Sequence, residues 1–449
     1  MGNLFGTDGV RGIANVELTP ELAFKLGRAA AYIIRNNKGS KPVFAIGTDT
    51  RISKDMLLCS LSAGICSVGG KSIQLGVLPT PGVAYLARTS DVDAGVMISA
   101  SHNSFEYNGI KFFNNRGFKL SDEYEDMIES HILADRDNMP DFAHSDIGTV
   151  EKNEDFTRSY EEYLCRTIEN DIAGMKIILD CANGAASNIA PQVLRNLGVE
   201  VISLFDSPDG ININMGCGST NIDKLQQRVK GETFDCAIAL DGDADRLMML
   251  DEKGKPIDGD QIMTMIALQL KREGRLVRNT LVATVMSNMG LDIMAKKNGI
   301  DLVKTKVGDR YVLEEMLKNG YALGGEQSGH IIFLEKNTTG DGIISALQVL
   351  RIMKLTGKKL SELVNDIEIL PQVLMNARVS NIKKAAYNDD EIICTHCIEL
   401  ENELEGNGRI LIRPSGTEPL VRVMIEGRDI GFITERAKKL VRIIEERMN

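Results

Sequence analysis

A serine and three aspartates are the strongest candidates in this chain for a reactive site. Ser101 lies beside His102 in a run of small and polar residues, 99–103 (SASHN). A hydroxyl next to an imidazole can carry a covalently bound group. Far downstream, three aspartates alternate directly after an apolar run: Asp241, Asp243 and Asp245. We interpret the two segments together as a site for phosphoryl transfer through a phosphoserine.

The three aspartates indicate a metal ion. In an extended chain, alternate side chains point the same way, so three carboxylates can converge on one cation. Carboxylates held this close raise one another's pKa unless a cation neutralises them. Hard oxygen ligands of this kind suit Mg²⁺ and leave room for a phosphate oxygen and water. The sequence therefore predicts a Mg²⁺ site next to Ser101.

Other interpretations of the same residues exist. The serine segment could be a polar turn, and the aspartates could form a solvated acidic turn. The aspartates also match positions 1, 3 and 5 of an EF-hand loop with Glu252 at position 12, although Arg246 occupies the position that needs Gly. A dehalogenase-type phosphatase, with Asp241 as its nucleophile, would likewise place Asp-x-Asp after an apolar strand. These alternatives predict Ca²⁺ binding without turnover, or release of inorganic phosphate without isomerisation.

Two further segments have the composition of ligand-binding loops. In 324–330 (GGEQSGH), Glu326 and Ser328 can bond sugar hydroxyls or an amine, and His330 can move a proton near neutral pH. In 413–419 (RPSGTEP), guanidinium, hydroxyl and amide groups form a candidate cradle for a phosphate dianion. The members of this cradle are Arg413, Ser415, Gly416, Thr417 and the nearby Arg422.

Three cations are candidates for contact with a transferred phosphoryl group or the sugar phosphate. Arg11 lies in the glycine-rich segment 5–12 (FGTDGVRG), Lys111 follows the serine segment, and Arg246 ends the aspartate segment. Arg11 could instead belong to a frayed terminus. Lys111 and His330 are the candidates for proton transfer.

Three stretches of the chain repeat one pattern and would position these loops. Each has an apolar β-rich run, a loop of small residues, a helical pattern, then Gly and a second short strand. The repeats begin at 43–47, 176–180 and 281–285. Gly suits the left-handed residue that ends a helix, and β-branched runs suit buried parallel strands. Each repeat is long enough for a right-handed crossover.

The remainder, from about Pro371, lacks this repeat and indicates a smaller α+β domain. It has a charged helical segment that ends with 401–405, strands at 408–413 and 420–425, and a terminal amphipathic helix from about Ile433. The predicted domains are 1–150, with the serine loop, 151–252, with the aspartates, 253–368, with the segment 324–330, and 369–449, with the phosphate cradle.

Composition excludes several kinds of partner. The chain has 449 residues and a formal charge of −11, without a long basic run. This argues against nucleic acid or an anionic membrane as the main partner. No apolar stretch approaches the ~20 residues that span a bilayer, and the N-terminus lacks the features of a signal peptide. We therefore expect a cytoplasmic protein whose eight scattered cysteines are reduced.

The chain resembles the α-D-phosphohexomutase family. The resemblance spans nearly the whole chain and rests on five segments in the family's order: 5–12 (FGTDGVRG), 99–103 (SASHN), 241–246 (DGDADR), 325–330 (GEQSGH) and 413–419 (RPSGTEP). It implies three related α/β domains with mixed, mainly parallel sheets, and a smaller C-terminal α+β domain around a central cleft. One departure is Ser104, because family members usually have Pro there.

The resemblance also implies roles for the candidate residues. Ser101 would be the phosphoserine, and its phosphate would complete the Mg²⁺ site of the three aspartates. The segment 326–330 would recognise the sugar, and 413–417 would hold the phosphate that is not being transferred. The residues expected to act in catalysis are Ser101, His102, Lys111, His330 and Arg11.

The activity implied by the resemblance is an isomerase reaction: interconversion of glucosamine 6-phosphate and glucosamine 1-phosphate through an enzyme-bound 1,6-bisphosphate, which feeds UDP-N-acetylglucosamine synthesis. Gln327 is typical of the glucosamine-specific members. A phosphomannomutase/phosphoglucomutase of the same family and an Asp-dependent phosphatase are the alternatives. The expected cofactors are one Mg²⁺ per chain and a hexose or hexosamine 1,6-bisphosphate that loads Ser101. A homodimer is one assembly that we consider.

Overall fold

The computed structural model describes residues 4–6, 8–134, 139, 142–153, 155–365, 367–380, 383–415 and 419–449. By internal contacts the chain divides into two compact units. The first unit is Met1–Met286 with Ile300–Asn365, and the second is Ser287–Gly299 with Asp366–Asn449. No helix in the described ranges is long and apolar enough to cross a membrane.

The first unit begins with a six-stranded mixed sheet. Its elements are β1 (Val10–Ile13), α1 (Pro20–Lys38), β2 (Val43–Thr48), α2 (Lys54–Ser67), β3 (Lys71–Val77), α3 (Thr80–Thr89), β4 (Ala94–Ile98), β5 (Tyr107–Asn114), α4 (Asp122–Leu133) and β6 (Val150–Lys152). The strand order is β1-β5-β4-β2-β3-β6. β2 pairs in parallel with β3 and β4, whereas β5 is antiparallel to β4. The loops after β2 and β4 therefore lie at the same edge of the sheet.

A five-stranded mixed sheet follows. Its elements are α5 (Asp155–Arg166), β7 (Lys176–Asp180), α6 (Ile189–Asn196), β8 (Glu200–Leu204), α7 (Ile222–Arg228), β9 (Cys236–Leu240), β10 (Leu247–Leu250) and β11 (Pro256–Ile257). The order is β11-β10-β9-β7-β8, with β7 parallel to β8 and β9, and β10 antiparallel to β9. The aspartate segment is the connection between β9 and β10.

The third sheet has four strands in the order β13-β12-β14-β15. Its elements are α8 (Gly259–Arg272), β12 (Thr280–Thr284), α9 (Met289–Lys297), β13 (Asp301–Thr305), α10 (Asp309–Asn319), β14 (Leu323–Gly325), β15 (Ile331–Phe333), α11 (Gly342–Thr356) and α12 (Leu360–Leu363). β12 is parallel to β13 and β14, and β15 closes an antiparallel hairpin with β14. The three predicted strand–helix–strand repeats are thus confirmed, each with a parallel strand pair.

The second unit contains a three-stranded antiparallel sheet in the order β16-β18-β17. Its elements are β16 (Gln372–Arg378), α13 (Glu391–Glu403), β17 (Gly408–Pro414), β18 (Leu420–Gly427) and α14 (Ile430–Met448), together with α9. The predicted terminal helix is present and begins at Ile430 rather than near Ile433. Its stripe of buried apolar side chains covers the sheet, as expected for a small α+β domain.

Helix α9 belongs to the second unit although it connects two strands of the third sheet. The buried side chain of Asn288 exchanges hydrogen bonds with the backbone of Leu370, both at 3.0 Å. The N–H of Met289 donates to the buried carboxylate of Glu426, at 2.9 Å. The predicted domain boundaries remain predictions. Strand β6 of the first sheet runs past residue 150, and strand β11 of the second sheet lies beyond residue 252.

Candidate active site

Ser101 occupies the loop after β4 in a conformation that is rare for a residue with a side chain. Its φ is 51°, in the left-handed region, and the residue is only 2% exposed. The hydroxyl of Ser101 donates a hydrogen bond of 2.7 Å to Oδ2 of Asp241. Nδ1 of His102 lies 3.4 Å from the same Oγ. The left-handed conformation costs roughly 1–2 kcal/mol, so the surrounding contacts must hold it in place.

The aspartate segment forms a buried cluster of oxygen ligands. One carboxylate oxygen of each aspartate lies within 4.8 Å of the others. Oδ2 of Asp243 accepts a hydrogen bond of 2.6 Å from Thr80. Within the described part of the chain, Oδ1 of Asp243 and Oδ1 of Asp245 are buried without a hydrogen-bond partner. Buried carboxylate oxygens are normally satisfied, so this cluster could hold a metal ion.

The charges of the cluster are unbalanced in a way that a cation would correct. Burial raises the pKa of Asp241 well above its usual value, and the carboxylates of Asp245 and Asp243 add to this rise. Burial also acts to raise the pKa of Asp245, but His330, Lys111 and Arg246 together outweigh it, so the pKa of Asp245 is lowered. The carboxylates therefore differ strongly in their affinity for a proton.

The EF-hand interpretation is wrong, because strands β9 and β10 rather than helices flank the segment.

Lys111 supplies a buried positive charge beside the aspartates. Its Nζ lies 3.2 Å from Oδ2 of Asp243 and 3.2 Å from Oδ2 of Asp8, which also forms an ion pair with Arg11. Burial alone would lower the pKa of Lys111, but Asp243 and Asp8 more than reverse this, and the pKa is raised. Lys111 is therefore a fixed cation at neutral pH. As a proton-transfer group it could donate a proton but is a poor base.

A chain of alternating charges continues from Asp8 to the third sheet. Nζ of Lys119 lies 2.8 Å from Asp8 and 2.8 Å from Asp309 at the start of α10. Asp309 lies 3.6 Å from Nε2 of His330. Lys119 thus connects a loop of the first sheet to a helix of the third. Ion pairs at this degree of burial resist solvent screening better than surface pairs.

The segment 326–330 connects β14 and β15 and packs against the aspartate segment. The carbonyl of Gly329 accepts a hydrogen bond of 3.0 Å from the N–H of Leu247, which follows Arg246. Oε1 of Glu326 accepts a hydrogen bond of 3.1 Å from the N–H of Gly308. Oγ of Ser328 and Nε of Arg246 are buried without a hydrogen-bond partner among the described residues. Buried polar atoms are normally hydrogen-bonded, so these two atoms could bind a ligand.

His330 is held between the aspartate cluster and the third sheet. Its Nδ1 lies 3.4 Å from Oδ2 of Asp245, and its Nε2 accepts a hydrogen bond of 3.0 Å from the N–H of Gly340. The carboxylates of Asp245 and Asp309 favour the protonated ring, whereas the Gly340 N–H favours a neutral ring with its proton on Nδ1. In both states Nδ1 carries a proton towards Asp245. A Cβ on Gly340 would lie 2.6 Å from the imidazole, so this position requires glycine.

His102 differs from His330 in its electrostatic surroundings. Burial lowers the pKa of His102 to about 4, and the cations of Arg246 and Arg11 contribute to this shift. The imidazole of His102 is therefore neutral at neutral pH. It can accept a hydrogen bond beside Ser101 but carries no charge to stabilise a phosphoryl group.

The phosphate cradle predicted at 413–417 lies in the second unit. Arg413 on β17 and Arg422 on β18 are directly opposite each other in the strand register. Burial lowers the pKa of Arg413, and the neighbouring Arg422 contributes. Like charges directly opposite in a sheet are destabilising, and a bound anion would offset this. Ser415 is buried, whereas Gly416 and Thr417 lie outside the described residues.

Several residues that contact the Ser101 loop or form ion pairs near it were not predicted from sequence. Arg51 and Asn214 bond carbonyl groups of the Ser101 loop, and Asp8, Lys119 and Asp309 form the charge chain. Arg51 carried a signal: the polar residues 49–51 follow β2 just as the serine segment follows the adjacent parallel strand β4. Asn214, Lys119 and Asp309 are isolated in the sequence, and only the tertiary fold brings them to the site.

Models of the four domains of one family match the chain in order. The phosphoglucomutase/phosphomannomutase α/β/α domains I, II and III match residues 2–139, 154–254 and 258–369, and the C-terminal domain of that family matches 374–443. The order of the matched domains agrees with the order of the sheets described above. The chain belongs to the phosphoglucomutase/phosphomannomutase family, as the resemblance to phosphohexomutases predicted.

Two relatives with known names are both phosphoglucosamine mutases. A phosphoglucosamine mutase of Acetivibrio thermocellus is 57% identical over 448 residues, which cover 100% of both chains. A phosphoglucosamine mutase of Ruminiclostridium cellulolyticum is 58% identical over 449 residues, again covering 100% of both. The similarity therefore includes every segment on which the predicted site depends.

Solved structures show the same fold at low sequence identity. A phosphoglucomutase/phosphomannomutase family protein of Burkholderia thailandensis has a TM-score of 0.81 at 21% identity, covering 100% of this chain and 99% of that one. An N-acetylphosphoglucosamine mutase of Aspergillus fumigatus, solved in complex with GlcNAc-6P and magnesium, has a TM-score of 0.71 at 18% identity and covers 99% and 96%. Three α/β domains with mixed sheets and a smaller α+β domain are thus the established fold class.

Proposed function

We propose that this protein interconverts glucosamine 6-phosphate and glucosamine 1-phosphate through phospho-Ser101. The observation that carries the proposal is the 2.7 Å hydrogen bond between Oγ of Ser101 and Asp241, a member of the buried aspartate cluster. A nucleophilic oxygen and a set of hard metal ligands meet there at one point. Full-length similarity to proteins named phosphoglucosamine mutase supports the choice of substrate.

The reaction consists of two phosphoryl transfers with a reorientation between them. In the first, a sugar hydroxyl oxygen forms a bond to the phosphorus on Ser101 and passes its proton to a base, while the Ser101 Oγ–P bond breaks and Oγ takes up a proton. The product is the 1,6-bisphosphate, which turns around without leaving. In the second, Oγ of Ser101 loses its proton and forms a bond to the other phosphorus, while the bond from that phosphorus to the sugar oxygen breaks and the sugar oxygen takes up a proton. Positioning and electrostatic stabilisation supply most of the acceleration in such transfers.

The aspartate cluster has the composition of a Mg²⁺ site. Asp241, Asp243 and Asp245, with the phosphate of Ser101, would hold one ion. The Oδ1 atoms of Asp243 and Asp245 fit this role, because neither accepts a hydrogen bond from the described residues. When bound, Mg²⁺ offsets the charge that develops on the transferring group. Glu252 lies outside this set, because its carboxylate bonds Ser361.

The cations around the site have different tasks in this scheme. Lys111 is a fixed positive charge next to Asp243 and can return a proton to a leaving sugar oxygen. His330, held by Asp245 and Gly340, is the second candidate for proton transfer. Arg11, anchored by Asp8, would contact the transferred phosphoryl group. The neutral His102 would accept a hydrogen bond beside Ser101.

Recognition of the substrate would be shared between two regions. Glu326, Ser328 and Arg246 would contact the sugar. Ser328 and Arg246 each have a buried polar atom that makes no hydrogen bond to the described residues. In the second unit, Arg413, Arg422, Ser415, Gly416 and Thr417 would bind the phosphate that is not being transferred. A guanidinium pair matches a phosphate dianion in charge and in hydrogen-bond geometry.

The remaining parts of the proposal concern the setting of the reaction. A hexose or hexosamine 1,6-bisphosphate would load Ser101, the protein would act in the cytoplasm, and its product would feed UDP-N-acetylglucosamine synthesis. A homodimer is the assembly to be tested first. Glucose or mannose phosphates are the alternative substrates within the same family.

Coupled assays on purified protein test the proposed function. Glucosamine, glucose and mannose 6-phosphates are supplied separately with Mg²⁺ and a trace of the 1,6-bisphosphate. We expect the highest kcat/KM with glucosamine 6-phosphate. A higher kcat/KM with glucose or mannose phosphate would reassign the substrate, and release of inorganic phosphate without isomerisation would refute a mutase.

A further inference from the structure

The backbone carbonyls of the Ser101 loop converge on two side chains that the proposed chemistry does not use. Nη2 of Arg51 donates to the carbonyls of Ser101 and Asn103, at 3.0 and 2.8 Å. Nδ2 of Asn214 donates to the same two carbonyls, both at 2.9 Å. Arg51 also bonds the carbonyl of Ser104. Side chains from two different domains thus donate hydrogen bonds to the same short stretch of backbone, residues 101–104.

Arg51 is itself fixed on the first sheet. The residue is fully buried, and its Nε donates a hydrogen bond of 2.9 Å to Oδ2 of Asp49. The backbone of Asp49 is bonded to the carbonyl of Ile98, the last residue of β4, at 3.1 Å. Because β2 and β4 are adjacent parallel strands, the guanidinium is held at the edge of the sheet where the Ser101 loop begins.

Asn214 reaches the same carbonyls from the second sheet. Its backbone N–H donates a hydrogen bond of 2.9 Å to the carbonyl of Ala182, in the loop after β7. Its φ is 59°, a left-handed conformation that Asn adopts more readily than most residues. Gly242, in the aspartate segment, closes the enclosure, since a Cβ there would lie 2.5 Å from the Ser101 carbonyl.

We propose that Arg51 and Asn214 are positioning residues that hold Ser101 in its left-handed conformation, with Oγ directed at Asp241. The inference rests on the proposed function. Without these donors, the peptide at Ser101 would relax towards negative φ, which the handedness of L-residues favours, and Oγ would turn away from the aspartate cluster. Because Asn214 comes from the second domain, the reactive geometry of the serine depends on how the second sheet packs against the first.

A matched pair of glycine variants tests this inference. Asn214→Gly keeps the left-handed backbone and removes the two hydrogen bonds to the Ser101 loop. Asn183→Gly is the control, because Asn183 also has a left-handed φ, of 48°, and is also buried. The side chain of Asn183 bonds Asn212 and Ser207 rather than the Ser101 loop. Arg51→Lys, which keeps the charge beside Asp49 but loses the planar fork of donors, is the second test variant.

The readouts separate positioning from general destabilisation. One is the rate at which dephosphorylated protein gains a phosphate from glucose 1,6-bisphosphate, followed by intact-protein mass spectrometry. The others are kcat, KM and the melting temperature. We expect Asn214→Gly to slow both loading and kcat by roughly tenfold, with KM changed less than twofold and a melting temperature close to that of Asn183→Gly. Arg51→Lys should slow loading further, because three carbonyls lose contacts.

Two results would overturn the inference, and they differ from a failure of the proposed function. Loading by Asn214→Gly at the wild-type rate would show that the contact does not position Ser101. Equal losses in Asn214→Gly and Asn183→Gly, in step with melting temperature, would show a purely structural role. Wild-type protein that never gains a phosphate on Ser101 would instead refute the proposed function and this inference with it.

Discussion

The Ser101 site in the first unit and the arginine pair in the second differ in how their charges are arranged. Around Ser101, charges alternate at short range: Lys111 lies between Asp243 and Asp8, and Lys119 between Asp8 and Asp309. The backbone of the serine loop is also gripped from two sides. In the second unit, two guanidiniums of like charge stand opposite each other in a ladder.

The difference matches the two tasks proposed for these regions. Forming and breaking a bond to phosphorus requires atoms fixed to a fraction of an ångström, which a buried network of ion pairs and hydrogen bonds provides. Binding a phosphate that must be released in each cycle requires positive charge that the ligand can compensate. The first region should therefore respond to substitution mainly in kcat, and the second mainly in KM.

The largest effect is expected from Ser101→Ala. Without the nucleophilic oxygen, mutase turnover should fall by at least roughly three orders of magnitude. The melting temperature should change little, because a loop hydroxyl contributes little to the core. Coupled assays and thermal unfolding check this, with Ser130→Ala, on an exposed part of α4, as the control. Isomerisation near the wild-type rate would remove the serine from the mechanism.

Asp243→Asn should reduce activity through the metal site. An amide is a weaker ligand for a hard cation than a carboxylate, and we expect kcat/KM to fall at least about a hundredfold. EDTA should silence the wild type, and Mg²⁺ should restore it. Titration calorimetry measures the loss of Mg²⁺ affinity directly, with Asp223→Asn on the exposed face of α7 as a charge-matched control. Full activity of metal-free wild type would contradict the site.

Arg413→Ala tests the other side of the comparison. A charge-assisted contact contributes roughly 1.5–3 kcal/mol, so kcat/KM should fall at least about tenfold. The loss should appear mainly in KM for both monophosphates, and the bisphosphate should escape into solution before it turns around. Arg428→Ala, which removes an exposed partner of Glu368 in the same unit, is the control. A loss confined to kcat would break the proposed division of tasks.

The smallest effect is expected from Glu326→Ala and concerns selectivity. A protonated amine loses more than a neutral hydroxyl when a carboxylate is removed, by about 1 kcal/mol, so the preference for glucosamine over glucose should shrink about fivefold. Coupled assays on both sugars give the ratio. The proposed roles of the two loops would be wrong if the ratio of glucosamine to glucose turnover were unchanged in Glu326→Ala but changed in Arg413→Ala.

Much of the fold, and the Ser101 and aspartate segments of the site, could be predicted from sequence because they depend on residues close together in the chain. The three repeats follow from β-branched runs and helix-ending glycines, and the parallel pairs β2/β3, β7/β8 and β12/β13 confirm them. The three aspartates converge as predicted, but for a different reason. Their segment between β9 and β10 is a turn with Ala244 at a φ of 58°, not the extended chain on which the prediction rested.

The residues that support the centre could not be predicted in the same way. Lys119 and Asp309 are 190 positions apart, and Asn214 and Ser101 are 113 apart. No local spacing links such pairs, since only the packing of one sheet's loops on another brings them together. The association of α9 with the second unit was also beyond the sequence pattern, because it depends on hydrogen bonds from Asn288 and Met289 to distant residues.

Transfer of a labelled phosphate shows directly whether Ser101 carries the phosphoryl group between sugars. Dephosphorylated wild-type protein is incubated with Mg²⁺ and glucose 1,6-bisphosphate labelled in both phosphates, digested, and analysed by peptide mass spectrometry. Unlabelled glucosamine 6-phosphate is then added as a chase. We predict that the label appears on the peptide containing Ser101 and then moves into glucosamine phosphates. Label on the peptide containing Asp241, or its release as inorganic phosphate without transfer to sugar, would contradict the account.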